Sequence, residues 1–249
     1  MNKVTRRSFV TSLTAASVVP AASVTVGSSA LAASTVQAAP ATQASVSTTY
    51  LFFNASEAAF IEAACERLIP VTEDGVGAVG AGVPNYLDKQ LGGAWGTGER
   101  LYRSGPWAEG SPSQGYQLPF TPAEMFHNAL RAINHNLENL ATPFVAMNAD
   151  AQDGFLKSLE GGGADLNGVP SAVFFDMLLK MTVEGFFADP VYGGNRDMAA
   201  WRMIGFPGAY ADYYDSIDQH GVKFVREPMS LGQDGHKHIH LDPNIPAKL

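Results

Sequence analysis

The stretch Thr121-Pro-Ala-Glu-Met-Phe-His-Asn-Ala-Leu-Arg-Ala-Ile-Asn-His-Asn-Leu-Glu-Asn-Leu140 decides the fold class. It opens with Thr121 as an N-cap, Pro122 at the first helical position and Glu124 at the third. Phe126, Leu130, Ile133, Leu137 and Leu140 then recur at helical spacing on one face. The same grammar repeats on either side. Asn54-Ala-Ser-Glu57 is a second capping box, followed by Phe60, Ile61, Ala64, Cys65, Leu68 and Ile69, and the pattern predicts a helix that ends before Pro70. Further helices are predicted over Val83–Leu91, Asp150–Leu159, Ser171–Phe187 and Asn195–Ile204. In the third of these, Phe174, Phe175, Leu178 and Leu179 face inward.

Alternating apolar runs of strand length are scarce; Val222-Lys-Phe-Val225 is the best and is short. No repeat of solenoid period occurs. The class is therefore mainly α, an irregular helical domain with long ordered loops rich in Gly, Pro and aromatic residues, above all Gly92–Pro119.

The N-terminus reads differently. Lys3, Arg6 and Arg7 precede any acid, and the first acidic residue is Glu57. A mildly apolar stretch follows, from Phe9 to Val26, and Ala30-Leu31-Ala32 supplies a cleavage pattern. Arg6-Arg7 followed by Ser-Phe resembles a twin-arginine export signal, the kind read by the Tat translocase, which moves proteins already folded. The expected division is a signal peptide at 1–32, a flexible Ala/Ser/Thr-rich leader at 33–50 and a single helical domain at 51–249 with a less ordered tail.

Composition narrows the function. The 249 residues carry 16 basic and 24 acidic side chains, a charge of −8. Loss of the signal removes three basic residues and no acid, which takes the charge to −11. Such a chain is ill suited to nucleic acid or to an anionic membrane surface. Nor does any mature segment have the length and apolarity of a membrane span. The single Cys excludes an internal disulfide, a Cys-ligated cluster and a haem c attachment site within this chain.

Candidate chemistry is sparse. Gly75-Val-Gly-Ala-Val-Gly80 matches a dinucleotide fingerprint. But a helix and Pro70 precede it where a strand is required, and Thr72-Glu-Asp74 puts acids beside it, so it reads as a turn between helices. His236, His238 and His240 would share one face of an extended segment and are the candidate metal ligands, physiological or adventitious. His127 and His135 lie about 12 Å apart along their helix, too far for one metal. Cys65, on an apolar stripe, is either a buried small hydrophobe or the site of a disulfide to another subunit. No nucleophile elbow, zincin, P-loop or EF-hand pattern occurs, and Asp212 and Asp215 sit in a tyrosine-rich stretch with no acid–base context. No catalytic, cofactor-binding or secure metal residue is thus identified. Aromatics gather in the loops instead, with Trp95, Tyr102, Trp107 and Tyr116 in one and Tyr192, Trp201 and Phe206 in another. That composition suits either a loop-rich core or a protein-binding hot spot.

One string is specific. Gly185-Phe-Phe-Ala-Asp-Pro-Val-Tyr-Gly-Gly-Asn195, followed by Trp201-Arg-Met-Ile-Gly-Phe-Pro-Gly208, resembles the small subunit (subunit 3, or gamma chain) of the gluconate 2-dehydrogenase family. Arg67-Leu-Ile-Pro70, Gly82-Val83 and Tyr86-Leu-Asp88 are similar to its N-terminal block. Gly105-Pro-Trp107, Gln114-Gly-Tyr-Gln117 and Thr121-Pro-Ala-Glu124 are similar to its middle block. The likeness runs from Phe52 to Gly208.

It implies a periplasmic, membrane-associated oxidoreductase complex. In it a GMC-type large subunit oxidises a sugar or sugar acid with FAD, and a multihaem cytochrome c subunit passes the electrons to quinone. The small subunit has no redox cofactor; its export signal carries the folded large subunit, which it then stabilises. Asp189, Tyr192, Asn195, Trp201 and Phe206 become candidate subunit contacts. Two readings compete with this one. The first is a stand-alone metal-binding protein or enzyme using the histidine run, and the second is a periplasmic binding protein. A neighbouring reading frame for a GMC-type flavoprotein separates them from the subunit reading.

Overall fold

The computed structural model describes residues 49–108, 110–111, 113–139, 142–210, 217–222 and 225–232. The export signal with Arg6 and Arg7, most of the leader, Asp212, Asp215 and the histidine run at 236–240 lie outside the described residues. So do two residues of the expected strand at 222–225.

The fold is mainly α. Its helices are α1 (Ala55–Leu68), α2 (Val83–Leu91), α3 (Pro122–Asn139), α4 (Ala149–Gly161), α5 (Ser171–Phe187) and α6 (Ala199–Ile204). Short 3-10 turns occur at Phe144–Ala146, Pro190–Tyr192 and Arg196–Met198. The described residues contain isolated β-bridges and no longer strand.

Both capping boxes form. The Asn54 side chain accepts from the Ser56 and Glu57 amides at 3.0 Å, and the Asn54 amide donates to Glu57 at 3.0 Å. At α3 the Thr121 amide donates to Glu124 Oε2 at 2.8 Å, and the Glu124 amide donates back to the Thr121 hydroxyl at 3.2 Å. Each box satisfies amides that a helix start leaves unpaired. Asn148 caps α4 with its side chain alone, accepting from the Ala151 amide at 2.9 Å.

Helix α5 is the centre of the assembly and packs against each of the other five helices. Its Phe174, Leu178 and Met181 meet Ile61, Ala64 and Cys65 of α1, Leu87 and Leu91 of α2, and Phe126 and Leu130 of α3 in one apolar core. Phe126 and Phe174 make an edge-to-face pair at 5.2 Å. Phe60, Phe144 and Phe155 form a second aromatic cluster, between α1, the Phe144–Ala146 turn and α4.

The last expected helix does not run unbroken from Asn195. Asn195, Asp197 and Met198 adopt left-handed backbone angles, with φ of 43°, 56° and 55°, which no α-helix accommodates. The chain makes a tight turn there, and α6 starts only at Ala199. At the other end Tyr50, on the edge of the expected leader, is already tied to the fold, since its hydroxyl donates to Glu62 at 2.6 Å.

Candidate functional site

The segment from Asp189 to Gly208 is a platform built against the α1–α2 junction. Asp189 follows the end of α5, and its carboxylate accepts from the Val191 amide at 3.0 Å, which starts the Pro190–Tyr192 turn. The same carboxylate reaches a segment far along the chain, accepting from the Ser230 hydroxyl at 2.5 Å and the Leu231 amide at 2.7 Å. Gly193 ends the turn at φ 99°, where a side chain would be strained, and its carbonyl accepts from the Asn85 amide group at 2.9 Å. Gly194 lies directly on the Gly185 carbonyl, leaving no room for a Cβ.

Asn195 is fully buried. It donates to the Ala188 carbonyl at 3.0 Å and accepts from the Ala200 amide at 2.9 Å, so it bridges the end of α5 to the start of α6. A short polar side chain of this kind tolerates the left-handed angle better than most. Trp201 is also buried. Its indole donates to the Phe187 carbonyl at 2.8 Å, and its ring carries Phe206 edge-on at 5.1 Å. Behind Trp201, Gly208 packs against the ring and the Met229 carbonyl.

The α1–α2 junction and the start of α2 meet this platform. The Arg196 amide donates to the Ala81 carbonyl at 2.9 Å, Gly82 faces the Gly193 carbonyl, and the Tyr86 ring lies on Gly185. The N-terminal and C-terminal blocks of the sequence string therefore interlock at one junction. Beside it runs a groove of about 300 Å³ with Asn85, Lys89 and Arg196 among its lining residues.

The candidate contact residues thus divide. Asp189, Asn195 and Trp201 point inward and hold the platform in shape, whereas Tyr192 and Phe206 stand in solvent. Cys65 is fully buried on α1 with its sulfur 3.4 Å from the Thr182 hydroxyl, and burial pushes its thiol pKa up to about 12. In this fold the sulfur does not reach the surface.

The glycine run at 75–80 forms the expected interhelical turn, and its interior is filled. The Glu66 carboxylate accepts from the Val71 and Val79 amides at 3.3 and 2.9 Å and lies against Gly77 where a Cβ would stand. A carboxylate in that position occupies the amides a pyrophosphate would need and repels it. The residues here therefore do not fit a dinucleotide. Among the described residues, no three His, Cys, Asp or Glu side chains stand close enough to share a metal.

Two further features were not legible in the string. Asp88, buried on α2, accepts from three successive amides, those of Leu51, Phe52 and Phe53, at 2.9, 2.9 and 3.0 Å. It thereby ties residues 51–53 to α2. The buried Glu57 faces His127 Nδ1 at 3.1 Å while the imidazole stacks on Phe52 at 4.2 Å. His127 and His135 line one polar cleft of about 490 Å³ together with Arg131 and Glu138. The sequence signal for Asp88 is a lone acid on the apolar side of a short helix.

A family model described as gluconate 2-dehydrogenase subunit 3 matches residues 55–208. The chain belongs to the gluconate 2-dehydrogenase subunit 3 family. The match takes in both interlocking blocks and ends at Gly208, where the platform closes. A subunit 3 is by its description one component of a dehydrogenase complex of several subunits. Neither a search of curated proteins nor one of solved structures finds a match to the chain. No helix among the described residues is long and apolar enough to cross a membrane.

Proposed function

We propose that this chain is the non-catalytic small subunit of a membrane-associated dehydrogenase complex of gluconate 2-dehydrogenase type. It carries a folded, FAD-loaded GMC-type large subunit to the periplasm through the Tat translocase and stabilises it there. A multihaem cytochrome c subunit of the same complex takes the electrons. The family match over residues 55–208 carries this reading.

Three features support it. The Arg6-Arg7 signal suits export of a folded protein whose cofactor was inserted beforehand. The glycine run is closed by Glu66, so it offers no pyrophosphate site, and the single thiol lies in the core. The polar groups of the platform are directed into its own backbone, as in a scaffold and unlike a reaction centre. Binding to the native large subunit alone stabilises it by mass action, in proportion to RT ln(1 + [L]/Kd).

The test is recovery of the tagged mature chain from its native host, followed by an absorbance spectrum and subunit masses. The expected result is a flavin spectrum from a partner larger than this 26.4 kDa chain, together with a haem c band. A colourless chain without a partner overturns the reading.

A further inference from the structure

The groove beside the platform holds polar groups that the fold itself leaves unused. Its walls come from three places. Asn85 and Lys89 stand one turn apart on α2, residues 190–198 supply the turns, and Ser230 and Gly232 come from the segment that returns to the platform. That last wall lies beyond residue 208, outside the span matched by the subunit family. Asp189 fixes it in place by accepting from the Ser230 hydroxyl and the Leu231 amide.

Two cations gather around Gly193. A Cβ on Gly193 would stand 3.2 Å from Lys89 Nζ and 2.8 Å from Asn85 Nδ2. The Arg196 guanidinium lies 3.6 Å from the Cβ position of Gly82, and that position is 3.2 Å from the Gly193 carbonyl. Among the described residues, neither the Lys89 nor the Arg196 side chain makes a hydrogen bond or an ion pair. Both stay unpaired although the chain carries 24 acidic residues against 16 basic ones. A third donor is close by. Gly194 is buried and lines the groove, and its amide has no partner among the described residues. Orphaned amides on buried residues are rare. A guanidinium, an ammonium and a backbone amide together suit a carboxylate, which takes forked bonds from Arg.

Asp197 narrows the choice of anion. Its carboxylate lines the same groove and likewise has no side-chain partner among the described residues. A bare oxyanion held by Lys89 and Arg196 would be repelled by it. A ligand with hydroxyl groups beside its carboxylate uses that charge as a hydrogen-bond acceptor instead. Pro190, Val191 and Met198 offer the carbon chain an apolar wall, and about 300 Å³ is the small end of the range for ligand sites. We propose that this groove binds a small hydroxy carboxylate, its carboxylate on Lys89, Arg196 and the Gly194 amide and its hydroxyls on Asp197. The site is formed by this chain without a partner and does not depend on the small-subunit reading.

The test is hydrogen exchange read by mass spectrometry, on the chain as purified from its native host with any subunits it retains. Three probes are compared. Gluconate carries a carboxylate and hydroxyls, sorbitol carries the hydroxyls alone, and sulfate carries charge without hydroxyls. Gluconate is expected to slow exchange in peptides covering residues 189–198 and 229–232. Sorbitol is expected to leave them unchanged, and sulfate to act only at concentrations at least about 10-fold higher. Lys89→Ala and Arg196→Ala are each expected to raise the gluconate concentration for half-maximal slowing at least about 10-fold, as for a lost bond to a charged group. Asp197→Asn keeps a residue type that tolerates left-handed angles and is expected to narrow the preference for gluconate over sulfate.

Should an alanine variant lose its helical circular dichroism, Lys89→Gln and Arg196→Gln decide. No slowing at about 10 mM gluconate overturns the site. An equal effect of sulfate marks a bare-anion site and overturns the hydroxy carboxylate. Slowing that survives both alanine variants comes from gluconate bound elsewhere and overturns the proposal as well. The subunit reading stands through all three results, because it rests on recovery of a flavoprotein and not on these peptides.

Discussion

Single side chains tie the first described residues to the helices. Asp88 takes three consecutive amides of residues 51–53 on one buried carboxylate. Replacing it by Ala leaves these donors without an acceptor, at a cost of about 3 kcal/mol. For a domain of this size that lowers Tm by roughly 6–12 °C, measurable by thermal melts. Asp88→Asn keeps one acceptor oxygen and is expected to fall between wild type and Ala. Cys65 shows the opposite use of burial. With its thiol pKa pushed up to about 12, it remains protonated in the folded protein across the range where the unfolded thiol, with an ordinary value of 9.0, ionises. The folded value is raised, so stability is full below pH 9 and falls as pH rises toward 12. Tyr50 and Tyr116, both shifted up chiefly by burial, act in the same direction. A thiol reagent is expected to leave Cys65 unmodified in native protein at pH 8 and to modify it stoichiometrically in denaturant.

At the scale of elements, the turn between α5 and α6 depends on backbone contact. Gly194 lies against the Gly185 carbonyl, and the Tyr86 ring covers Gly185. Neither neighbour is a flexible side-chain tip, so Gly194→Ala must displace backbone. The expected loss is roughly 2–4 kcal/mol, in the upper part of the range for single substitutions. Gly154→Ala, on α4 with open space at its Cβ position, is expected to be neutral or stabilising by up to about 1 kcal/mol. Comparing the two by denaturant titration separates a close approach from ordinary glycine flexibility. Asn195 belongs to the same device, because its side chain holds the end of α5 to the start of α6 while its own backbone is left-handed. Helical periodicity across Asn195–Ile204 is real, but it cannot reveal that three residues leave helical angles to make that bridge.

Across the whole molecule, α5 gathers the other helices, and one ion pair on the outside links distant elements. Arg67 on α1 meets Asp153 on α4 through two bonds of 2.8 Å. Its hydrogen bonds hold the Asp153 carboxyl below the ordinary carboxylate range. The folded value is depressed, so the pair's contribution is present above the unfolded pKa near 3.8 and is lost as pH falls through the lower folded value. Both groups are partly exposed, which limits the contribution to about 1 kcal/mol or less. In Arg67→Ala the Asp153 titration followed by NMR is expected to return toward the ordinary value, with less stability at neutral pH and a difference from wild type that shrinks as pH falls below the ordinary carboxylate range.

What the sequence determined by itself is local. Helix starts at Asn54 and Thr121 were legible because a capping box closes within three residues, and helix faces because apolar periodicity repeats within one turn. The family resemblance was legible for a related reason, since its glycines and prolines encode turns whose shape depends on neighbours in the chain. Tertiary structure alone decided the rest. It turned Asp189, Asn195 and Trp201 inward while leaving Tyr192 and Phe206 in solvent. It also filled the glycine run with Glu66, set Glu57 against His127 and brought residues 71–79 beside Met203. The bonds responsible join residues such as Asp88 and Phe53, or Cys65 and Thr182, that lie 35 and 117 positions apart. No local pattern records such a pairing, because a carboxylate or an apolar side chain reads the same in sequence whether its partner or only water lies beyond it.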